Sequence, residues 1–183
     1  MMYILHYVLC RVTTAPAFLP TFFDGGYRKN SGPGGSGSVI IKINIPTHDT
    51  SVLWVASMAY GHPSTPNNIA EYWGLVHGLR QVSACGYYPL HVVGDISLVI
   101  SQIRTYSSPL KHHLAILYRE ARTCVDAIGV VSWGHYYRDY NNMADQVENI
   151  SMNTCSSVQV SAPSDRREIA RLRLILRTTL FTR

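Results

Sequence analysis

Four carboxylates stand where an α/β fold concentrates its chemistry. Asp24 closes the apolar run "FLPTFF", Asp95 closes "LHVVG", Glu71 sits in the first turn of a helical stretch and Asp145 lies in another. The ends of strands in an open α/β sheet border the crevice where ligands bind. Ionised acids gathered in one cleft repel one another unless a cation sits among them. Hard oxygen ligands, with no clustered His and no Cys-x-x-Cys pair, suit Mg²⁺ or Mn²⁺ and not zinc. Two such ions about 3.5–4 Å apart activate a water and stabilise the leaving oxygen in phosphodiester cleavage. Taken singly, each acid also suits a structural place: a turn at Asp24, a helix N-terminus at Glu71, an N-cap at Asp95, a solvated surface at Asp145.

The elements that must position these acids can be read from periodicity. Residues 18–24 form a strand ending at Asp24, and the glycines 25, 26, 32, 34, 35 and 37 read as a turn. The β-branched runs 38–45 and 51–60 continue an antiparallel meander. Ile69, Trp73, Val76, Leu79 and Val82 then recur at helical spacing until Gly86 stops the helix. A strand at 88–95, a short helix "SLVISQI", a longer helix at 110–126, a strand at 127–135 and a helix at 141–152 follow. This order describes an α/β domain with a five-stranded mixed sheet, a meander plus parallel crossover strands, flanked by helices.

Bulk composition agrees with one folded domain. The chain has 183 residues, 46% of them apolar and 15% charged, which suits a substantial core. Its net charge of +5 is unevenly spread. Residues 1–150 hold ten Lys/Arg against nine Asp/Glu, while residues 151–183 hold six Arg against two acids. The body is therefore nearly neutral, and the basicity lies in the C-terminal segment, so the overall charge alone does not argue for nucleic-acid binding. Cys10, Cys85, Cys124 and Cys155 are scattered and read as reduced thiols. No apolar stretch reaches the roughly 18 residues of a membrane span. "MMYILHYVLC" is short and lacks a basic leader, which argues against a signal peptide. An intracellular place, nucleus or cytoplasm, is expected; the absence of acids before Asp24 also leaves a mitochondrial presequence open.

Four stretches in this order carry a resemblance: "FFDGGYRKNSGPGGSGSVI", "TPNNIAEYWGLVHGLRQV", "LHVVGDISLVISQI" and "WGHYYRDYNNMADQVEN". Together, over about residues 20–153, they resemble the type 1 ribonuclease H family, in its plant-like and retroelement branch. The resemblance implies the ribonuclease H fold. It also implies two Mg²⁺ ions, with Mn²⁺ as a substitute, on Asp24, Glu71, Asp95 and Asp145. It assigns His135, ten residues ahead of Asp145, to product release or proton transfer, and it puts Asn141 in the family's N-x-x-x-D register.

The implied substrate is an RNA/DNA hybrid, whose RNA strand is cut to leave 5′-phosphate and 3′-hydroxyl ends. Such selectivity needs contacts to 2′-hydroxyls and shape recognition of the minor groove. Gly25 and Gly26 are expected to bring bare backbone to the strand, and Asn30, Asn67, Asn68 and Asn141 to face the substrate. Asn30 and Asn67 also suit a turn and a helix cap. Arg28, Lys29, Lys111 and Arg138 are the candidate phosphate contacts, and the basic insertion of bacterial members is not evident.

Two departures stand out. Asp-Ser after strand four becomes Asp95-Ile96-Ser97, and the usual Ala-Asp-x-Leu-Ala becomes Ala144-Asp145-Gln146-Val147-Glu148. Neither removes a carboxylate; both allow a degenerate retroelement copy with poor activity but do not argue for a dead one. The alternative is thus a catalytically weak or inactive domain that binds nucleic acid or protein. The expected organisation is an N-terminal extension at 1–19, the catalytic domain at 20–153, and a linker with an Arg-rich helix at 154–183. That helix, residues 166–180, is the expected place for a partner or nucleic acid; a monomer without membrane contact is expected.

Overall fold

The computed structural model describes residues 16–28, 33–61, 66–136 and 141–162. The chain runs β1 (Ala17–Tyr27), β2 (Gly34–Asn44), β3 (Thr50–Tyr60), α1 (Asn67–Cys85), β4 (Leu90–Gly94), α2 (Ser97–Arg104), α3 (His112–Ile128), β5 (Ser132–His135), α4 (Asn142–Thr154) and β6 (Val158–Ser161). The strands form one mixed sheet in the order β5-β4-β1-β2-β3-β6. β1, β2, β3 and β6 pair antiparallel, whereas β4 runs parallel to both β1 and β5.

Period-two alternation sends each strand's apolar residues to two cores. On one face Phe23, Ile40, Trp54 and Val92 pack with Leu75 and Leu79 of α1 and with Leu117 and Ala121 of α3. On the other, Phe22, Val39, Ile41 and Val55 pack under Ala144 and Val147 of α4. Leu53 is the extra residue where the β2–β3 register shifts, since Ile40 pairs Trp54 and Ile41 pairs Val52. Gly86 caps α1 with φ 63°, its N–H bonded to the Val82 carbonyl, and so ends the helix where expected.

Three expectations need correction. The sheet has six strands, not five: β6 lies in the Ser/Pro-rich stretch expected to be a linker, and it pairs with β3 from Trp54↔Ser161 to Ser57↔Val158. Its partner is a century of residues upstream, and two valines in a four-residue run carry too little local pattern. The strand expected from residue 127 begins at Ser132, because Ala127 and Ile128 complete α3 and Gly129, at φ 73°, caps it.

The third correction concerns the glycines. Gly25 and Gly26 lie in β1, and Gly34, Gly35 and Gly37 in β2, so the strands continue through them. These residues are small because helices rest on them. A Cβ on Gly25 would fall on the Ala70–Glu71 peptide of α1, and one on Gly37 on the Ala144 carbonyl of α4. Ser38 Oγ donates to the Gly74 carbonyl at 2.5 Å and Ser57 Oγ to the Val147 carbonyl at 2.6 Å, adding one hydrogen bond to each docking. Asn30, Lys29, Gly32, Arg138, the 166–180 segment and most of the N-terminal extension lie outside the described residues.

Candidate metal centre

The site lies where two parallel strands end unequally. Pairing of β1 with β4 stops at Phe23↔Gly94, yet β1 continues to Tyr27 alongside β2. The edge of β1 is therefore uncovered by β4 from Asp24 onward. Asp24 stands at the first position of this notch, and Asp95 is the first residue after β4. Glu71 comes one turn into α1, not in its first turn, because the helix begins at Asn67. Asp145 falls in the first turn of α4.

Tertiary packing draws these acids together in two groups. Oxygen atoms of Asp24, Glu71 and Asp95 all lie within 4.8 Å of one another, and so do those of Asp24, Asp145 and Glu148. Asp24 belongs to both groups. It is 2% exposed, Glu71 is 4% exposed and Glu148 is 1% exposed. All four acids expected at the site are thus brought together, and Glu148 joins them. Glu148 is not among the acids that the family resemblance assigns. Its signal was visible as the acid in place of the family's alanine, three residues after Asp145 and hence on the same helical face.

Amide donors orient these carboxylates. The Gly25 N–H donates to Asp24 Oδ1 at 2.8 Å. Asn67 Nδ2 reaches Glu71 Oε1 at 3.4 Å. Asn149, one turn beyond Asp145, donates from Nδ2 to the Asp145 carbonyl at 2.8 Å and to its Oδ2 at 3.2 Å. Outer contacts of this kind fix which lone pairs a ligand carboxylate presents.

The remaining expected residues are spread around the centre. His135 ends β5 opposite Gly94, and its Nε2 donates to the Asp95 carbonyl at 2.9 Å. Asn67 is exposed and Asn68 half-buried, both at the open start of α1. Gly25 and Gly26 are buried, with α1 against the first and the Glu148 carboxylate against the second. Asn141, expected at the substrate, is fully buried and donates Nδ2 to the Phe23 carbonyl at 2.8 Å. Its own carbonyl receives the Ala144 and Asp145 N–H groups as α4 begins. Of the candidate cations, the Arg28 guanidinium bonds Asn153 and Lys111 is exposed just before α3.

Three or more carboxylates so buried and so close fit a divalent cation well. Buried charge of one sign needs a counter-charge, and an all-oxygen donor set suits Mg²⁺ or Mn²⁺.

The same fold is carried by known proteins. A family model described as reverse transcriptase-like matches residues 22–150. The N-terminal RNase H domain of a Mycobacterium tuberculosis protein superposes with a TM-score of 0.61 at 30% identity, covering 75% of this chain and 95% of that one. The chain belongs to the ribonuclease H family.

RNase H1 of the halophilic archaeon Halobacterium salinarum NRC-1 is similar over 75% of this chain and 98% of its own, with TM-score 0.61 and 25% identity. LC11-RNase H1, crystallised with an RNA/DNA hybrid, shares the fold at TM-score 0.60 and 21% identity, over 76% of this chain and 98% of its own. A bifunctional protein of M. tuberculosis strain H37Rv is 31% identical over 133 residues, 73% of this chain. The chain spans 35% of the length of that relative. Against this ribonuclease H background, the mixed sheet and its flanking helices are those expected, with β6 as an added edge strand. No helix among the described residues is long and apolar enough to cross a membrane.

Proposed function

We propose that this chain is a metal-dependent endoribonuclease that hydrolyses the RNA strand of RNA/DNA hybrids. The observation that carries the reading is the sharing of Asp24 between two carboxylate groups, one completed by Glu71 and Asp95 and the other by Asp145 with Glu148. Two adjacent divalent sites joined by one carboxylate is the donor arrangement that phosphodiester hydrolysis by two ions requires. The bound ions, Mg²⁺ or Mn²⁺, would supply an activated water and neutralise charge on the leaving oxygen.

The chain's own residues supply position. Asp24 is held by the Gly25 N–H on one side and by α1 packing on the other. Asn67 and Asn68, at the exposed start of α1 beside Glu71, offer amides to 2′-hydroxyls in the minor groove. His135, tied to the Asp95 backbone, would pass a proton to the departing strand. Support for the substrate comes from relatives that are RNase H enzymes, one of them crystallised with a hybrid.

Incubation of the purified chain with a labelled RNA/DNA hybrid and Mg²⁺ tests the reading. Cleavage of the RNA strand to 3′-hydroxyl ends is expected, lost in Asp24→Asn and in Asp95→Asn. No cleavage by the unmutated chain, or equal cleavage by both variants, overturns it. Metal-dependent hybrid binding without turnover would instead mark a binding module.

A further inference from the structure

We infer that Glu148 is a fifth carboxylate ligand of the centre, completing the position held by Asp24 and Asp145. The inference rests on the metal-binding reading above and adds to it a residue outside the four that the family resemblance supplies.

Three glycines place this acid. Gly35 and Gly37 of β2 let α4 settle directly on the sheet. A Cβ on Gly37 would lie 2.6 Å from the Glu148 nitrogen, and one on Gly35 would lie 3.3 Å from the Glu148 carbonyl oxygen. With its backbone pressed onto β2, Glu148 extends along the sheet surface toward β1. There Gly26 leaves open the space that the carboxylate takes, since a Cβ at that position would overlap Glu148 Oε1. Asp24 lies two residues back on the same face of β1, and Asp145 lies one helical turn back on α4. The carboxylate therefore converges on both, with ligand oxygens of all three inside 4.8 Å.

Chemistry narrows what such a residue does. An alanine at this place would leave a two-carboxylate position, as in the usual Ala-Asp-x-Leu-Ala motif. A glutamate there adds a third negative charge at 1% exposure, next to two others. Burying like charges together is unfavourable unless a cation joins them. Mg²⁺ ordinarily takes one or two protein carboxylates and keeps several waters. With Glu148 this position offers three carboxylates, as the position of Asp24, Glu71 and Asp95 does, so each should hold an ion of its own.

Calorimetric titration of Mn²⁺ and Mg²⁺ into the unmutated chain, Glu148→Gln, Glu148→Ala and Asp95→Asn tests this without reference to cleavage. Two binding events are expected in the unmutated chain. Both Glu148 variants should weaken one of them by about tenfold or more, a loss at least as large as outer-contact mutations bring, and spare the other. Asp95→Asn should do the reverse. Circular dichroism without metal checks that the variants fold, and an anomalous map of Mn²⁺-soaked crystals of the unmutated chain shows directly whether a Glu148 oxygen bonds the ion. Unchanged affinity in both Glu148 variants, or an ion bound with Glu148 turned away, overturns the inference. Loss of one event in the Glu148 variants, together with absence of hybrid cleavage by the unmutated chain, leaves Glu148 a ligand and overturns the nuclease reading alone. Absence of any binding in the unmutated chain overturns both.

Discussion

The side-chain amide of Asn141 donates to the carbonyl of Phe23 at 2.8 Å, tying the start of α4 to the residue before Asp24. One buried hydrogen bond thus spans two elements that contribute carboxylates from opposite ends of the chain. Asp24 and Asp145 are 121 positions apart in sequence, yet this link sets where the second helix-borne acid arrives.

Asn141→Ala removes that link and leaves a buried carbonyl without its donor. A destabilisation of about 1–3 kcal/mol is expected by urea denaturation. Affinity for the hybrid should change little, because Asn141 is fully buried, while turnover falls as Asp145 loses its fixed position. A weakened hybrid affinity at unchanged stability would instead return Asn141 to the substrate surface.

Gly74→Ala tests the seat of α1. Its Cβ would stand 2.5 Å from the Asp24 carbonyl oxygen, so the helix must rise from β1 and carry Glu71 away. Overpacking of this kind typically costs about 1–3 kcal/mol. Both melting temperature and metal affinity should drop. Gly61→Ala is the control, since nothing among the described residues lies within 4 Å of its added carbon; it should leave both unchanged.

Metal should stabilise the fold through the acids it joins. A ligand that binds only the native state at about 100 times its Kd adds about 2.7 kcal/mol. The unmutated chain should therefore melt higher in millimolar Mn²⁺ than in chelator. Asp24→Asn should melt in chelator at or above the temperature of the unmutated chain, having lost a crowded charge, and should respond little to Mn²⁺. A metal response equal to that of the unmutated chain would remove Asp24 from the centre.

Acid stability should carry a contribution from His77. Its ring stacks on Trp73 at 5.4 Å, and burial, followed by the charge of Arg80, pushes its pKa down to about 4. Native His77 stays neutral where the unfolded chain, with a value near 6.5, already takes a proton. Below about pH 6.5 the unfolded state therefore binds more protons, and stability declines as pH falls toward 4. His77→Phe keeps a ring on Trp73 and removes the proton. Urea denaturation across pH 4–7.5 should show a shallower decline for this variant than for the unmutated chain; equal slopes would discount the burial of this imidazole.

Much of the centre was legible because its acids interrupt strong local patterns. Asp24 and Asp95 end apolar runs, and Glu71 and Asp145 sit in helices with clear period, so their elements were readable and their roles followed from the family resemblance. Glu148 was harder: within α4 it reads as one more polar residue, and only the register of α4 on β2 turns it inward. The glycines misled for a related reason. Locally they signal a turn, whereas here they answer to the backbones of α1 and α4, which are distant in sequence.

The sequence by itself determined most of the element types, the order of the four acids and the hard-oxygen chemistry they can support, since periodicity and side-chain type are local properties. Only the tertiary structure decided that Asp24 is shared between two carboxylate groups, that Glu148 belongs to one of them, that Asn141 is a buried tie and that β6 closes the edge beside β3. Each of these depends on how closely two backbones approach. That distance is set by glycines and serines on one element and by the helix lying across them, so no single stretch of the chain contains it.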